Sequence, residues 1–187
     1  MKTDIILCGV GGQGILSIAT IIGEAAMKEN LYIKQAEVHG MSQRGGDVQS
    51  NLRLSSNPIA SDLIPLGGAD VIISMEPMEA LRYLPYLSPN GWIITNSAPF
   101  VNIGNYPDIE KVMAELKKIQ NCLAFDANEI AKTVKARSNM VLLGAAAPHL
   151  EIEFAELENA IKHIFGRKGE EVVNSNLAAI KAGKEAK

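Results

Sequence analysis

A glycine-rich turn near the start of the chain narrows the fold more than any other feature. Residues 4–8 are a short apolar run, and Gly9-Val10-Gly11-Gly12-Gln13-Gly14 follows it directly. Ile15, Leu16, Ala19, Ile22 and Ala26 then recur at helical spacing. Strand, glycine turn and helix together open a βαβ-like unit, closed by a second strand over residues 31–37. Gly9, Gly11 and Gly14 satisfy the G-x-G-x-x-G pattern in the structural context it requires. Gly9 permits the tight turn, Gly11 lets a ligand or another backbone approach closely, and Gly14 lets the helix pack against the strand. Amides at the helix start then face any anion placed there.

The rest of the chain continues the alternation. Over residues 47–54, Val48, Ser50, Leu52 and Leu54 interleave with Gln49, Asn51 and Arg53, the pattern of a half-exposed strand. Ser55-Ser56-Asn57-Pro58 breaks it, and a return strand at about 59–61 is expected to complete a hairpin. Strands are expected at 70–74, 91–95 and 122–126, with helices from Pro77 and over 108–119, 128–134, 140–146, 156–165 and 170–182. This order predicts one α/β domain over residues 1–187. Its sheet is Rossmann-like and mixed, mostly parallel with a β-hairpin, and has helices on both faces.

Composition removes several function classes. A net charge of -3 in 187 residues, with no basic run longer than Arg167-Lys168, leaves no concentrated face for nucleic acid. The longest apolar stretch, residues 140–147, is too short to span a bilayer, and Asp4 stands where a signal peptide is basic, so the expected location is cytoplasmic. Cys8 and Cys122 lie in or beside expected strands and read as buried thiols. No H-x-x-x-H or C-x-x-C spacing points to a metal site, and no G-x-S-x-G or Walker A sequence supports a hydrolase or P-loop reading. His149 and His163 read as structural or solvated.

The second informative segment is His39-Gly40-Met41-Ser42-Gln43-Arg44-Gly45-Gly46, which puts a histidine, an amide and a guanidinium among glycines where a plain turn would serve. Arg44 suits a phosphate or carboxylate, and Gly45-Gly46 leaves room beside it. His39 is a candidate proton-transfer group, because an unperturbed imidazole titrates near neutrality, but no partner residue for it is identifiable. In a doubly wound sheet this loop and the glycine turn meet over one crevice. A dinucleotide reading stays open too, because Glu37 lies 23 residues past Gly14, about where an acid holds a ribose.

The pairing of residues 9–15 with residues 37–46 resembles the gamma-type subunits of pyruvate and 2-oxoacid ferredoxin oxidoreductases, and within that family the beta subunits of indolepyruvate enzymes. Glu76-Pro77-Met78-Glu79-Ala80-Leu81, Thr95-Asn96-Ser97-Ala98-Pro99 and residues 139–144 extend the likeness over nearly the whole chain. The resemblance implies a gamma-type domain that joins a large alpha subunit holding thiamine diphosphate and 4Fe-4S clusters. Such a complex decarboxylates an aryl-2-oxoacid such as indolepyruvate, passes electrons to ferredoxin and transfers the acyl group to coenzyme A. It further implies a coenzyme A contact at the interface through Gly9, Gly11, Gly12, Gln13, Gly14, His39, Ser42, Gln43, Arg44, Gly45 and Gly46, with no catalytic residue assigned.

The residues themselves limit what this chain contributes. A 4Fe-4S cluster needs four thiolates and only two cysteines exist; no Gly-Asp-Gly thiamine motif is found either. Carbanion and electron-transfer chemistry therefore belong on a partner, and the chain is expected to be inactive alone. Two other readings remain: an NAD(P)-binding enzyme, and a structural adaptor whose glycine turn and loop are packing surfaces.

Overall fold

The computed structural model describes residues 1–39, 45–101 and 103–186. Six strands form one sheet: β1 (Lys2–Val10), β2 (Tyr32–His39), β3 (Asp47–Ser55), β4 (Ala69–Ser74), β5 (Leu87–Asn96) and β6 (Cys122–Phe125). Seven helices surround it: α1 (Ile15–Lys28), α2 (Pro77–Arg82), α3 (Ile109–Leu116), α4 (Ala127–Thr133), α5 (Ser138–Ala146), α6 (Phe154–Phe165) and α7 (Glu170–Lys184). The strand order is β2-β3-β1-β4-β5-β6. The pairs β1/β4, β4/β5 and β5/β6 are parallel, and β3 runs antiparallel to both of its neighbours, β1 and β2.

Side chains alternate across the sheet and so divide the core in two. Ile5 and Leu7 of β1, Val71 and Ile73 of β4 and Ile94 of β5 join α1, α4, α5, α6 and α7 on one face. Ile6, Cys8, Ile72 and Ile93 join α2 and α3 on the other. Both faces of the central strands are therefore covered, and these strands read as continuous apolar runs rather than alternating ones. Residues 139–146 of α5 are buried throughout, so this helix is interior and its apolar residues point in every direction.

The expected return strand at 59–61 does not form. Strand β3 already has both edges occupied, from Lys2↔Ser55 to Val10↔Asp47 on one side and Tyr32↔Ser55 to His39↔Val48 on the other. Pro58 cannot donate to a ladder in any case. The segment is pinned as a connection instead: Arg53 donates to the carbonyls of Ser61 (3.1 Å) and Leu63 (3.0 Å), and the Ile64 amide donates to Asn51 Oδ1 (3.2 Å). The hairpin exists one step earlier, between β2 and β3. Its insertion separates β2 from β1, which the simple βαβ reading had made neighbours.

Strand β3 also departs from half-exposed alternation. Ser50 and Asn51 are both buried, and their polar groups are satisfied: Gln35 Nε2 donates to Ser50 Oγ (3.1 Å), and Asn51 accepts from Ile64. At the far end of β1, the buried Asp4 carboxylate takes two hydrogen bonds from the Arg53 guanidinium of β3, at 2.7 and 2.9 Å. Among the described residues, no helix is long and apolar enough to cross a membrane.

Candidate functional site

The sheet changes winding direction between β1 and β4. After β1 the chain turns to α1 on one face, and after the adjacent parallel β4 it turns to α2 on the other. Ligands of open α/β sheets bind beyond the carboxyl ends of the strands at such a point. Strand β2 ends and β3 begins on this same edge, so the described ends of the loop between them lie there too. The contact is direct: the Gly11 amide donates to the Gly46 carbonyl at 2.9 Å. The meeting of turn and loop expected from the sequence is thus present at their described residues. Ser42, Gln43 and Arg44 lie outside the described residues. His39 ends β2, paired through its backbone with Val48, and Gly45 is exposed with φ 78°.

Gly9, Gly11, Gly12, Gln13 and Gly14 have separate tasks in the turn. A methyl group on Gly9 would stand 2.7 Å from Gln13 Oε1 and 2.8 Å from Met75 Cβ, so Gly9 serves close packing beneath the turn. Gly11 admits another backbone, that of Gly46. The Gln13 side chain is a strut: Oε1 accepts the Val10 amide at 2.7 Å and Nε2 donates to the Met75 carbonyl at 3.5 Å, tying the ends of β1 and β4 together. Gly14 caps α1 with φ 87°, and its carbonyl accepts from Asn139 Nδ2 (3.1 Å), where an added Cβ would stand 2.5 Å away. Its close packing is therefore against α5, not against a strand. Gly12 has open space around it at φ 98°, and the Gly12 and Gly14 amides have no partner among the described residues. These two amides and the N-terminus of α1 are the part of the turn free to receive an anion.

The other wall carries acidic residues that residue-type reasoning did not select. Glu76 is buried and caps α2: Oε2 accepts the Glu79 amide (3.0 Å), while Oε1 accepts from the Phe100 amide (3.4 Å) and the Tyr106 hydroxyl. Burial and the Glu76 carboxylate together push the Tyr106 hydroxyl well above the usual phenol range. Tyr83, the C-cap of α2, reaches across to β3, its hydroxyl donating to Asp47 Oδ2 at 2.7 Å. Asp47 follows Gly46 directly, so this bond holds one stem of the loop against α2. The available signal was Glu76-Pro77 after an apolar strand, an N-cap followed by proline at N1, with Glu79 at N3.

Glu79 is 3% exposed and pairs with Arg82 Nε at 2.8 Å. Burial pushes its carboxyl up to about 7; Arg82 opposes this, and Asp47 adds to it. The folded chain then holds this proton more tightly than the unfolded chain does, whose carboxyl titrates at about 4.3. Stability from this group is fully present below the unfolded value and is lost as pH rises toward 7. Glu79→Gln should flatten that decline: urea unfolding at pH 5 and pH 8 should differ less in the variant than in the wild type. An unchanged difference would show that Glu79 is not its source.

The remaining titratable candidates are structural. His149 stacks on Trp92 with ring centroids 4.3 Å apart, and burial lowers its pKa. His163 is exposed and meets Glu24 at 2.9 Å. Cys8 is buried and Cys122 half-buried, and burial raises both thiols, Cys122 to about 11. The two are three strands apart, on the order of 14 Å. They do not fit a shared cluster, and no group of three His, Cys, Asp or Glu able to hold a metal occurs among the described residues. The dinucleotide reading loses its ribose ligand, because Glu37 is exposed on edge strand β2 with β3 between it and β1.

Comparison with known proteins agrees with this architecture. Indolepyruvate oxidoreductase subunit IorB of Archaeoglobus fulgidus is 37% identical, covering 98% of this chain and 94% of that one. Pyruvate oxidoreductase subunit PORC of Thermotoga maritima superposes with a TM-score of 0.75 at 22% identity, over 99% of this chain and 96% of that one. The 2-oxoglutarate:ferredoxin oxidoreductase of Magnetococcus marinus, whose structure contains 2-oxoglutarate, coenzyme A and succinyl-CoA, superposes with a TM-score of 0.76 at 24% identity. That match covers 98% of this chain and 30% of the other, so the chain spans about a third of that longer polypeptide. The family model described as pyruvate ferredoxin/flavodoxin oxidoreductase matches residues 4–186, and the chain belongs to that family.

Proposed function

We propose that residues 1–187 act as one gamma-type domain, the small subunit of a cytoplasmic, heteromeric aryl-2-oxoacid:ferredoxin oxidoreductase of the indolepyruvate class. The overall reaction converts an aryl-2-oxoacid and coenzyme A into an aryl-acetyl-CoA and carbon dioxide, with two electrons passed to ferredoxin and two protons released. Thiamine diphosphate and the 4Fe-4S clusters belong to a larger partner subunit. The two-cysteine donor set of this chain, with its thiols three strands apart, supports that division.

The observation that carries the reading is the Gly11–Gly46 hydrogen bond at the switch point, joining the two motifs in which the family likeness is concentrated. Around it lie two amides without a partner among the described residues and the start of α1, a setting suited to a phosphate of coenzyme A. Gly9 and Gln13 support this surface from beneath, Gly12, Gly14 and Gly46 form it, and His39, Ser42, Gln43, Arg44 and Gly45 are its further contacts in this proposal.

The test is reconstitution with the large subunit co-expressed from the same genome, following viologen or ferredoxin reduction with and without coenzyme A. Indolepyruvate and phenylpyruvate should be turned over at least tenfold better than pyruvate or 2-oxoglutarate, and neither subunit should act alone. Preference for pyruvate or 2-oxoglutarate would overturn the substrate class. Coenzyme A dependence unaffected by Arg44→Ala would favour a purely structural adaptor.

A further inference from the structure

A cleft of about 420 Å³ lies on the helical face between the first turn of α1, the α4–α5 turn, the end of α6 and the start of α7. Three cations line it, Lys135, Arg137 and Lys168, and no carboxylate does. The chain as a whole is net negative, at -3. None of the three cations takes part in an ion pair among the described residues. Lys168 is held over the Phe165 ring, 5.1 Å from its centroid. All three are exposed, and like charges gathered at one cleft raise the local potential for an anion.

Two features argue that the cleft is built to receive a ligand. Asn176 is only 8% exposed, lines the cleft, and makes no side-chain hydrogen bond among the described residues. Its carboxamide atoms stay accessible from the cleft, where a ligand would supply their hydrogen-bond partners. Lys135 occupies the left-handed position that ends α4, with φ 52°. Its amide donates to the Lys132 carbonyl (3.3 Å) and that of Ala136 to the Ala131 carbonyl (3.0 Å), a helix ending that normally takes glycine. The sequence thus keeps a long cation where backbone geometry favours no side chain.

We infer that this cleft binds a phosphate monoester carried on a flat or apolar body. A doubly charged phosphate needs more than one cation, and Lys135, Arg137 and Lys168 converge on the same space. Met140, Phe165 and Val172 form its apolar wall, and Ser17 and Asn176 supply polar groups. Its volume lies within the range of small-molecule sites. A second cleft, of about 440 Å³, contains Gly12, Gln13 and Lys132 and shares Ala136 and Arg137 with the first. The phosphate can therefore come from the far end of a coenzyme that starts at the glycine turn, or from a free nucleotide. The inference does not depend on assembly with a larger subunit.

The test is calorimetric titration of the full-length chain, without partner, using adenosine 3′,5′-bisphosphate, 5′-AMP, inorganic phosphate and coenzyme A. Adenosine 3′,5′-bisphosphate or 5′-AMP should bind saturably at one site. The Arg137→Gln/Lys168→Gln double variant should weaken that binding at least tenfold, and Asn176→Ala should weaken it severalfold, with far-UV circular dichroism unchanged. Coenzyme A binding much tighter than the bisphosphate would identify a ligand spanning both clefts; equal affinity would identify a free nucleotide. Absence of saturable binding by every probe, or binding untouched by the double variant, would overturn the inference.

Discussion

Alanine in place of Gly144 or Gly183 is expected to destabilise the chain by about 3 kcal/mol, the upper end of what overpacking usually costs. The reason is backbone contact between α5 and α7. A Cβ on Gly144 would stand 2.0 Å from the Ile180 carbonyl oxygen, and one on Gly183 would stand 1.9 Å from the Val141 carbonyl oxygen. No side-chain rotation relieves a clash with main chain, so the helices must separate. Because α5 is buried throughout, its displacement would loosen its packing on β4 and β5 as well. For a chain of this size the loss corresponds to a fall in melting temperature of roughly 6–12 °C. Gly23→Ala is the control: it lies within α1 with nothing inside 4 Å of the added methyl, and should be neutral or stabilising by about 0.5–1 kcal/mol. Urea unfolding of the three variants decides the matter, and a Gly144→Ala protein as stable as the wild type would rule out the tight crossing.

The second large effect is expected at Gly9, and it should fall on activity more than on folding. The backbone there has φ 156°, and an alanine methyl would meet Gln13 Oε1 and Met75 Cβ at 2.7 and 2.8 Å. Gln13 is the strut that ties β1 to β4, and displacing it moves the turn that carries Gly11, Gly12 and the free amides. The Gly11–Gly46 bond then lengthens, and the loop loses its backbone anchor while the Tyr83–Asp47 tether remains. In the reconstituted enzyme, Gly9→Ala should lower turnover with limiting coenzyme A at least tenfold. Most of that loss should appear as a raised KM for coenzyme A, with melting temperature lowered by only a few degrees. An unchanged KM would remove the turn from coenzyme A recognition.

Much of this architecture is legible in the residues, for identifiable reasons. Apolar runs at 4–8, 70–74 and 91–95 report strands buried on both faces, and such strands form only where helices cover both sides. The juxtaposition of Gly11 and Gly46 follows from topology, since loops at one edge of an α/β sheet converge whatever their side chains. Neighbour relations were harder to read. The alternation over 47–54 suggested exposure, but β3 became an interior strand because the buried Ser50 and Asn51 found hydrogen-bond partners at distant Gln35 and Ile64.

Site residues divide along the same line. Gly9, Gly11 and Gly14 were recognisable because backbone geometry at a strand-to-helix turn demands glycine. Gln13 resembled a ligand-binding amide, yet its side chain is consumed within the turn, since its nearest unsatisfied groups were Val10 N–H and the Met75 carbonyl. Asn139, Glu76 and Tyr83 act through partners 125, 30 and 36 residues away in the chain. No local pattern encodes such pairs. The cleft at Lys135, Arg137 and Lys168 escaped notice for the same reason, as its cations are brought together by the packing of α7 on α5.

The central claim, that this chain is one part of a larger thiamine-dependent enzyme, is tested most directly by its state in native cells. Isolated through a tag on the chromosomal copy, it should elute in fixed ratio with a larger polypeptide, and that complex should contain thiamine diphosphate and iron. Recovery of the chain free of any such polypeptide, with no thiamine diphosphate in the fraction, would contradict it.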